Sequence, residues 1–344
     1  MQSSSPNAAA NTDKGDHEDG KGKQRLQQEN QEEEEEKEVL RIRSDHRSNH
    51  PDPNQVIEIK QQQDMFERIA FIGAGNMAFA IAQGLVRSGR INPSKQFYVY
   101  APSKRNLTKF EQAFTCTTTT DIHSFEGMKR SDLVFICVKP NILHQPLIRF
   151  THDPLVISVA AGISINSLKR SVIAPAGQFV RIMTNTACAI GASVCATHID
   201  PLIEEDELKS LQAKLTSLLT PLGEVHFVEE GHLNTITAVA GSGPAFGLMF
   251  IQAMADGGVL MGLPRHLSQR LAALTLSGAS SMVLQSGNEH PVTLRDRVCS
   301  PGGTTIHGIH ALEKSGFTAG VMDAVQAAAL RASQLSGSNN SCSK

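Results

Sequence analysis

The chain has no tryptophan and only two tyrosines among its 344 residues. Both tyrosines, Tyr98 and Tyr100, fall in the run Phe97-Tyr98-Val99-Tyr100, which reads as a strand. Tyr100 and Lys104 have the YxxxK spacing of the short-chain dehydrogenase pair, but Pro102 between them breaks any shared helix face. Tyrosine acid–base chemistry is thereby excluded. Lysine is scarce as well: between 231 and 336 only Lys314 occurs, near a glycine that ends a helix, so a lysine-assisted dehydrogenase of the β-hydroxyacid type fits poorly. There is no CxxC and no HExxH. The cysteines, Cys116, Cys137, Cys188, Cys195, Cys299 and Cys342, read as reduced thiols of an intracellular protein. His307 and His310 share an expected helix, but no cysteine or carboxylate joins them, and no metal is expected. Net charge is −2 and no basic patch with interleaved aromatics appears, so no nucleic-acid partner is expected. The longest apolar stretch, 240–255, is interrupted by Gln252. It falls short of the ~20 residues a spanning helix needs, and no membrane association is expected.

What is present centres on 67–85, ERIAFIGAGNMAFAIAQGL. A short apolar run, Ile69 to Ile72, meets the glycine turn Gly73-Ala74-Gly75. Met77, Ala80, Ile81, Gly84 and Leu85 then recur at helical spacing. Strand, glycine turn, helix is the opening of a dinucleotide site; the third glycine position holds Ala78, a tolerated variant. Glycine lets the backbone approach a pyrophosphate, and the helix start offers unpaired N–H groups and a positive dipole end. The next strand ends in Tyr100-Ala101-Pro102-Ser103-Lys104-Arg105. The acidic residue that binds a free ribose 2′-hydroxyl is missing, and a hydroxyl and two cations stand instead. A 2′-phosphate suits Ser103, Lys104 and Arg105, so NADPH is favoured over NADH; the alternative is a solvated basic turn.

Residues 1–64 are rich in Gln, Asn, Ser and acid, including Glu32 to Glu36, and read as a disordered acidic and polar tail. The tail is a solvated spacer or, alternatively, a partner-binding segment. Alternating strand and helix signals over 65–230 give an α/β unit: an N-terminal Rossmann-like, doubly wound sheet that binds the dinucleotide. Expected strands are Gln96–Ala101, Thr115–Thr120 (or a loop), Asp132–Val138, Leu155–Ala160, Phe179–Met183, Ser193–Thr197 and Val225–Val228. From 231 to 336 strand signals stop and apolar, Gly- and Ala-rich helices follow; 337–344 is a second disordered tail. This all-helical end has more apolar face than it can hide alone and is expected to dimerise and help bind substrate; the alternative is packing wholly on its own sheet. Within it, Ser300-Pro301-Gly302-Gly303-Thr304-Thr305 makes an unusual turn whose N–H groups can hold a carboxylate, or whose hydroxyls simply cap a helix.

Several motifs then occur in order. They are GAGNMAFA at 73–80, VKP at 138–140, AAGI at 160–163, MTNT at 183–186, GSGPAF at 241–246, DGGVLMGLPR at 256–265 and SPGGTTIHGIHALE at 300–313. As a set, over about 66–335, the chain resembles Δ1-pyrroline-5-carboxylate reductases. The resemblance implies reduction of a cyclic imine, 1-pyrroline-5-carboxylate, to L-proline by NAD(P)H, the final step of proline biosynthesis. It implies cofactor contacts at Ile72, Gly73, Ala74, Gly75, Asn76, Met77, Ser103, Lys104, Arg105, Val138, Lys139, Pro140, Ala160 and Ala161, with Arg297 near the nicotinamide. It implies Thr305 as the catalytic threonine beside the substrate nitrogen, Ser300, Gly303 and Thr304 as the carboxylate-binding turn, and Glu230 as a substrate-binding glutamate. It also implies interlocked homodimers that build into decamers, with each site shared between subunits. Arg297 and Cys299 depart from relatives, which often carry Asn and Ser there. A non-catalytic NADPH-binding regulator is the other class. The expected compartment is the cytoplasm, since no secretory signal opens the chain and its acidic start matches an Arg-rich presequence poorly; mitochondria are the alternative.

Overall fold

The structure, a computed structural model, describes residues 65–335, so both expected tails lie outside the described residues. Apolar runs set the strands. In chain order come β1 (Ile69–Ile72), helix α1 (Asn76–Arg87), the one-turn α2 (Pro93–Gln96), β2 (Phe97–Tyr100), α3 (Lys104–Ala113) and β3 (Thr117–Thr119). Next are β4 (Leu133–Ile136), β5 (Ile148–Arg149), β6 (Leu155–Ser158), α4 (Ile165–Ser171) and β7 (Val172–Ile173). Then β8 (Phe179–Met183), β9 (Ser193–Ile199), α5 (Glu205–Leu219) and β10 (Gly223–Phe227) complete the α/β part. Eight strands form one sheet in the order β10-β9-β8-β6-β4-β1-β2-β3, while β5 and β7 pair separately. All neighbours in the large sheet are parallel except β8 and β9. The chain moves from β1 outward to β3 and then returns to β4 on the other side of β1. That reversal opens a crevice at the carboxyl ends of β1 and β4, where such sheets bind ligands.

Both faces of the sheet are covered, which is why β1 and β4 are unbroken apolar runs and β6 is apolar up to its last residue, the buried Ser158. Ile69 and Phe71 point into one core with α1, α3 and α5, and Ala70 and Ile72 into the other with α4. Phe71 stacks on Phe135 with ring centroids 5.3 Å apart and meets Phe97 edge-on at 5.2 Å. Burying one such side chain contributes about 1.5–3 kcal/mol.

The strands differ from expectation in several places, and β3, β4 and β6 are shorter than the expected spans. Gln96 ends α2 instead of beginning β2, because its buried Nε2 donates to the Phe66 carbonyl at 2.8 Å. Strand β10 starts at Gly223, ahead of the expected Val225. Strand β9 continues to Ile199 and runs antiparallel to β8. The two-residue strands β5 and β7 carry no sequence periodicity to betray them.

Beyond β10 the chain is helical. A 3₁₀ turn (Glu230–His232), α6 (Leu233–Ile236), a π turn (Thr237–Gly241) and α7 (Gly243–Leu260) follow one another. Then come α8 (Arg265–Gln285), α9 (Pro291–Val298), α10 (Thr304–Lys314) and α11 (Phe317–Leu335). The run Glu230–Leu260 is 31 residues long and contains an 18-residue window of mean hydropathy 1.3, so by length and composition it could cross a membrane. The shorter span expected from sequence counted only the densest apolar part. The alternative that these helices hide their apolar faces on their own sheet is not what the structure shows. Leu260 is 85% exposed, Leu284 77% and Met249 70%.

Candidate active site

The glycine turn after β1 is shaped by contact. Gly73 has φ +108°, and a Cβ there would lie 2.8 Å from the carbonyl carbon and oxygen of Cys137. Only glycine lets the ends of β1 and β4 approach this closely. The Gly73 N–H donates to the Tyr100 carbonyl at 2.9 Å, which ties the turn to β2. Gly75 is the opposite case: a Cβ there would meet nothing within 4 Å, so the space in front of it is open. Gly75 caps α1 without a side chain, and the first turn of α1 holds no acidic residue. The helix start therefore presents free N–H groups and its positive end to an anion. Ile72, Ala74, Asn76 and Met77 lie along this same crossover, Ile72 and Ala74 buried and Asn76 exposed.

Ser103 caps α3 but its hydroxyl makes no capping bond. Ser103, Lys104 and Arg105 are all exposed, and among the described residues neither cation is in an ion pair. Because β2 lies beside β1, this basic corner flanks the glycine turn. Val138, Lys139 and Pro140 follow β4, with Lys139 capping a 3₁₀ turn, Pro140–His144.

A cavity of about 280 Å³ opens beside α1. Met77, Ala160 and Ala161, all expected cofactor contacts, line it. So do Arg181, Thr184, Asn185, Thr237, Gly241 and Ser242, to which sequence reasoning assigned no role. The signal for some of them was available: Thr184-Asn185-Thr186 is a polar break just past the carboxyl end of an apolar strand, where ligands bind in such sheets. Cys188 and Cys195 are fully buried, and burial pushes their thiols up to about 12 and about 11. Neither is a thiolate near neutral pH, which removes both as nucleophiles.

The turn at Ser300 is well formed but elsewhere. Pro301 and Gly302 occupy its centre, Gly302 has φ +66°, and the Gly303 N–H donates to the Ser300 carbonyl at 3.0 Å. A Cβ on Gly303 would lie 2.4 Å from Ser300 Oγ and 3.1 Å from the Ser300 carbonyl oxygen, so a side chain there would turn the serine hydroxyl away. Helix α10 starts at Thr304 without a side-chain cap, and the turn is largely exposed. The capping reading of the threonines thus loses its bond. None of Ser300, Gly303, Thr304 and Thr305 lines the cavity of the same chain. Nor does Arg297, which is engaged with Glu289 through Nη1 and Nη2 at 2.9 and 2.6 Å. Glu230 is also engaged: its Oε1 accepts from the Ile165 N–H at 2.7 Å and from Arg181 Nη1 at 2.8 Å. In this chain it latches the helical part to the sheet and is not among the cavity's lining residues.

Comparison with known proteins decides the family. Pyrroline-5-carboxylate reductase 3 of Danio rerio is 41% identical over 301 residues, covering 85% of this chain and 96% of the relative. The chain belongs to the pyrroline-5-carboxylate reductase family. Residues 230–335 match the family described as pyrroline-5-carboxylate reductase dimerisation. Residues 68–162 match NADP oxidoreductase, coenzyme F420-dependent. Among solved structures, the 1-pyrroline-5-carboxylate reductase of Streptococcus pyogenes superposes with TM-score 0.67 at 31% identity, over 78% of this chain and 98% of that one. The Plasmodium falciparum pyrroline carboxylate reductase, with NADP bound, gives 0.66 at 27% identity over 79% and 99%. The exposed apolar helices of this reductase-family chain thus coincide with its dimerisation region.

Proposed function

We propose that this chain reduces 1-pyrroline-5-carboxylate to L-proline, the closing step of proline biosynthesis, with NADPH as donor and NADH as the alternative. One observation carries the reading: similarity to named reductases runs through both the dinucleotide corner and the proline-glycine turn. The residues fit the cofactor. The open space at Gly75 and the uncapped start of α1 suit a pyrophosphate, and Ser103, Lys104 and Arg105 suit a 2′-phosphate. Val138, Lys139, Pro140, Ala160 and Ala161 continue the cofactor groove toward the cavity, where the nicotinamide supplies a hydride when bound.

The imine carbon is electrophilic once its nitrogen is protonated, so the chain's task is placement more than proton transfer. Among the described residues, the charged side chain that lines the cavity is Arg181. The N–H groups of the turn from Ser300 to Thr304 hold the substrate carboxylate, and the Thr305 hydroxyl meets the ring nitrogen. Since this turn does not line the cavity of its own chain, a second copy brings it, and each site combines one sheet with its partner's turn. Glu230, whose Oε1 also holds Arg181, binds substrate, and Arg297, paired with Glu289, lies near the nicotinamide. We further propose that dimers build into decamers and that the protein works in the cytoplasm. Analytical ultracentrifugation and imaging of a tagged chain test these two points.

The activity test is direct. Purified full-length protein is mixed with NADPH and 1-pyrroline-5-carboxylate, and nicotinamide absorbance is followed. Imine-dependent loss of absorbance with proline as product is expected; NADPH binding without turnover would instead favour a regulator.

A further inference from the structure

A π turn within an α-helix is uncommon, and it persists where neighbouring groups hold it, often beside a functional site. Here Thr237–Gly241 forms one, closed by the Ser242 N–H donating to the Thr237 carbonyl at 2.9 Å. Thr237, Gly241 and Ser242 face the cavity, so the turn is one of its walls. A second lining side chain, just past the end of β8, is bonded to it. Asn185 Nδ2 donates to the Ala240 carbonyl at 2.8 Å, while its Oδ1 accepts the Ala187 N–H at 2.9 Å. Both ends of the amide are used, which fixes its orientation. The wall has little slack. A Cβ on Gly241 would lie 3.2 Å from Met183 Sδ, the last residue of β8.

We propose that Asn185 is a positioning residue for the reduction. By pinning the π turn to the end of β8, it sets the width of the cavity in which hydride donor and imine meet. This rests on the reductase reading above. Hydride transfer needs the two carbons close and aligned, and a misplacement of about 1 Å can cost on the order of a hundredfold in rate. The phosphates are anchored separately, on α1, so cofactor affinity does not depend on this pin.

Asn185→Asp is the informative variant. It keeps an oxygen for the Ala187 N–H, so the local cap survives, but it loses the donor to Ala240. Asn185→Ala removes both bonds. In the full-length Asn185→Asp protein we expect kcat to fall about tenfold or more. The NADPH dissociation constant should stay within about threefold. The deuterium isotope effect on kcat with C4-deuterated NADPH should rise as transfer becomes rate-limiting. Hydrogen exchange of the free protein should quicken at the amides of 237–242 and not in the strands. A wild-type kcat and isotope effect in folded Asn185→Asp overturns the proposal, and so does unchanged exchange at 237–242. If the unaltered protein fails to consume NADPH with the imine, the reductase reading falls, while the exchange result still decides whether Asn185 pins the turn.

Discussion

At the scale of single residues, the site is economical in reactive groups and relies on hydrogen-bond donors held in place. Thr305→Ala is expected to lower kcat about tenfold, an ordinary loss for one positioned hydroxyl. Steady-state kinetics on the folded variant check it, and an unaltered kcat would remove Thr305 from the mechanism. Ser103 marks the other end of the ligand. Ser103→Asp sets a carboxylate where a 2′-phosphate is to bind, so NADPH affinity should fall far more than NADH affinity. Fluorescence titration of both nucleotides measures the ratio, and equal losses would show that the 2′-phosphate lies elsewhere.

At the scale of elements, each strand is fixed by what covers it and by what ties its ends. Arg68, just before β1, donates to the buried Asp132 carboxylate through Nε at 3.1 Å and to the Gly127 carbonyl through Nη2 at 3.0 Å. Asp132 precedes β4, is fully buried and has one oxygen without a partner. Arg68→Ala would leave this carboxylate with the Lys129 N–H as its remaining partner, at 2.7 Å. We expect a loss of about 3–5 kcal/mol, the usual cost of stranding one half of a buried pair. Urea unfolding gives the value, and adding Asp132→Asn should return part of it. All eight strands of the large sheet were legible in the sequence, and β1, β4, β6 and β8 read most plainly because every residue in them is buried. The direction of β9 was not legible, since side-chain alternation is the same in parallel and antiparallel pairs. Nor was the π turn, because its five-residue closure leaves no mark in the apolar pattern around Thr237. The glycine corner and the Ser300 turn were legible from local chemistry, namely glycines at Gly73 and Gly302, where φ is positive. Arg181 and Thr237 were not, because they meet the cavity only when the helical run folds back over the end of β8.

At the scale of the whole molecule, most of the exposed large apolar side chains, Leu260 and Leu284 among them, lie on the helical part rather than on the sheet part. Association with another copy resolves that asymmetry, and the match of 230–335 to a dimerisation family agrees. The Ser300–Gly303 turn, which does not line its own chain's cavity, then has a genetic consequence. Two inactive alleles, one damaged at Gly75 and the other at Thr305, should rescue one another when co-expressed. Mixed pairs would carry one site with both lesions and one with neither. With random pairing about a quarter of normal turnover should return, whereas a pocket made wholly within each chain would return none.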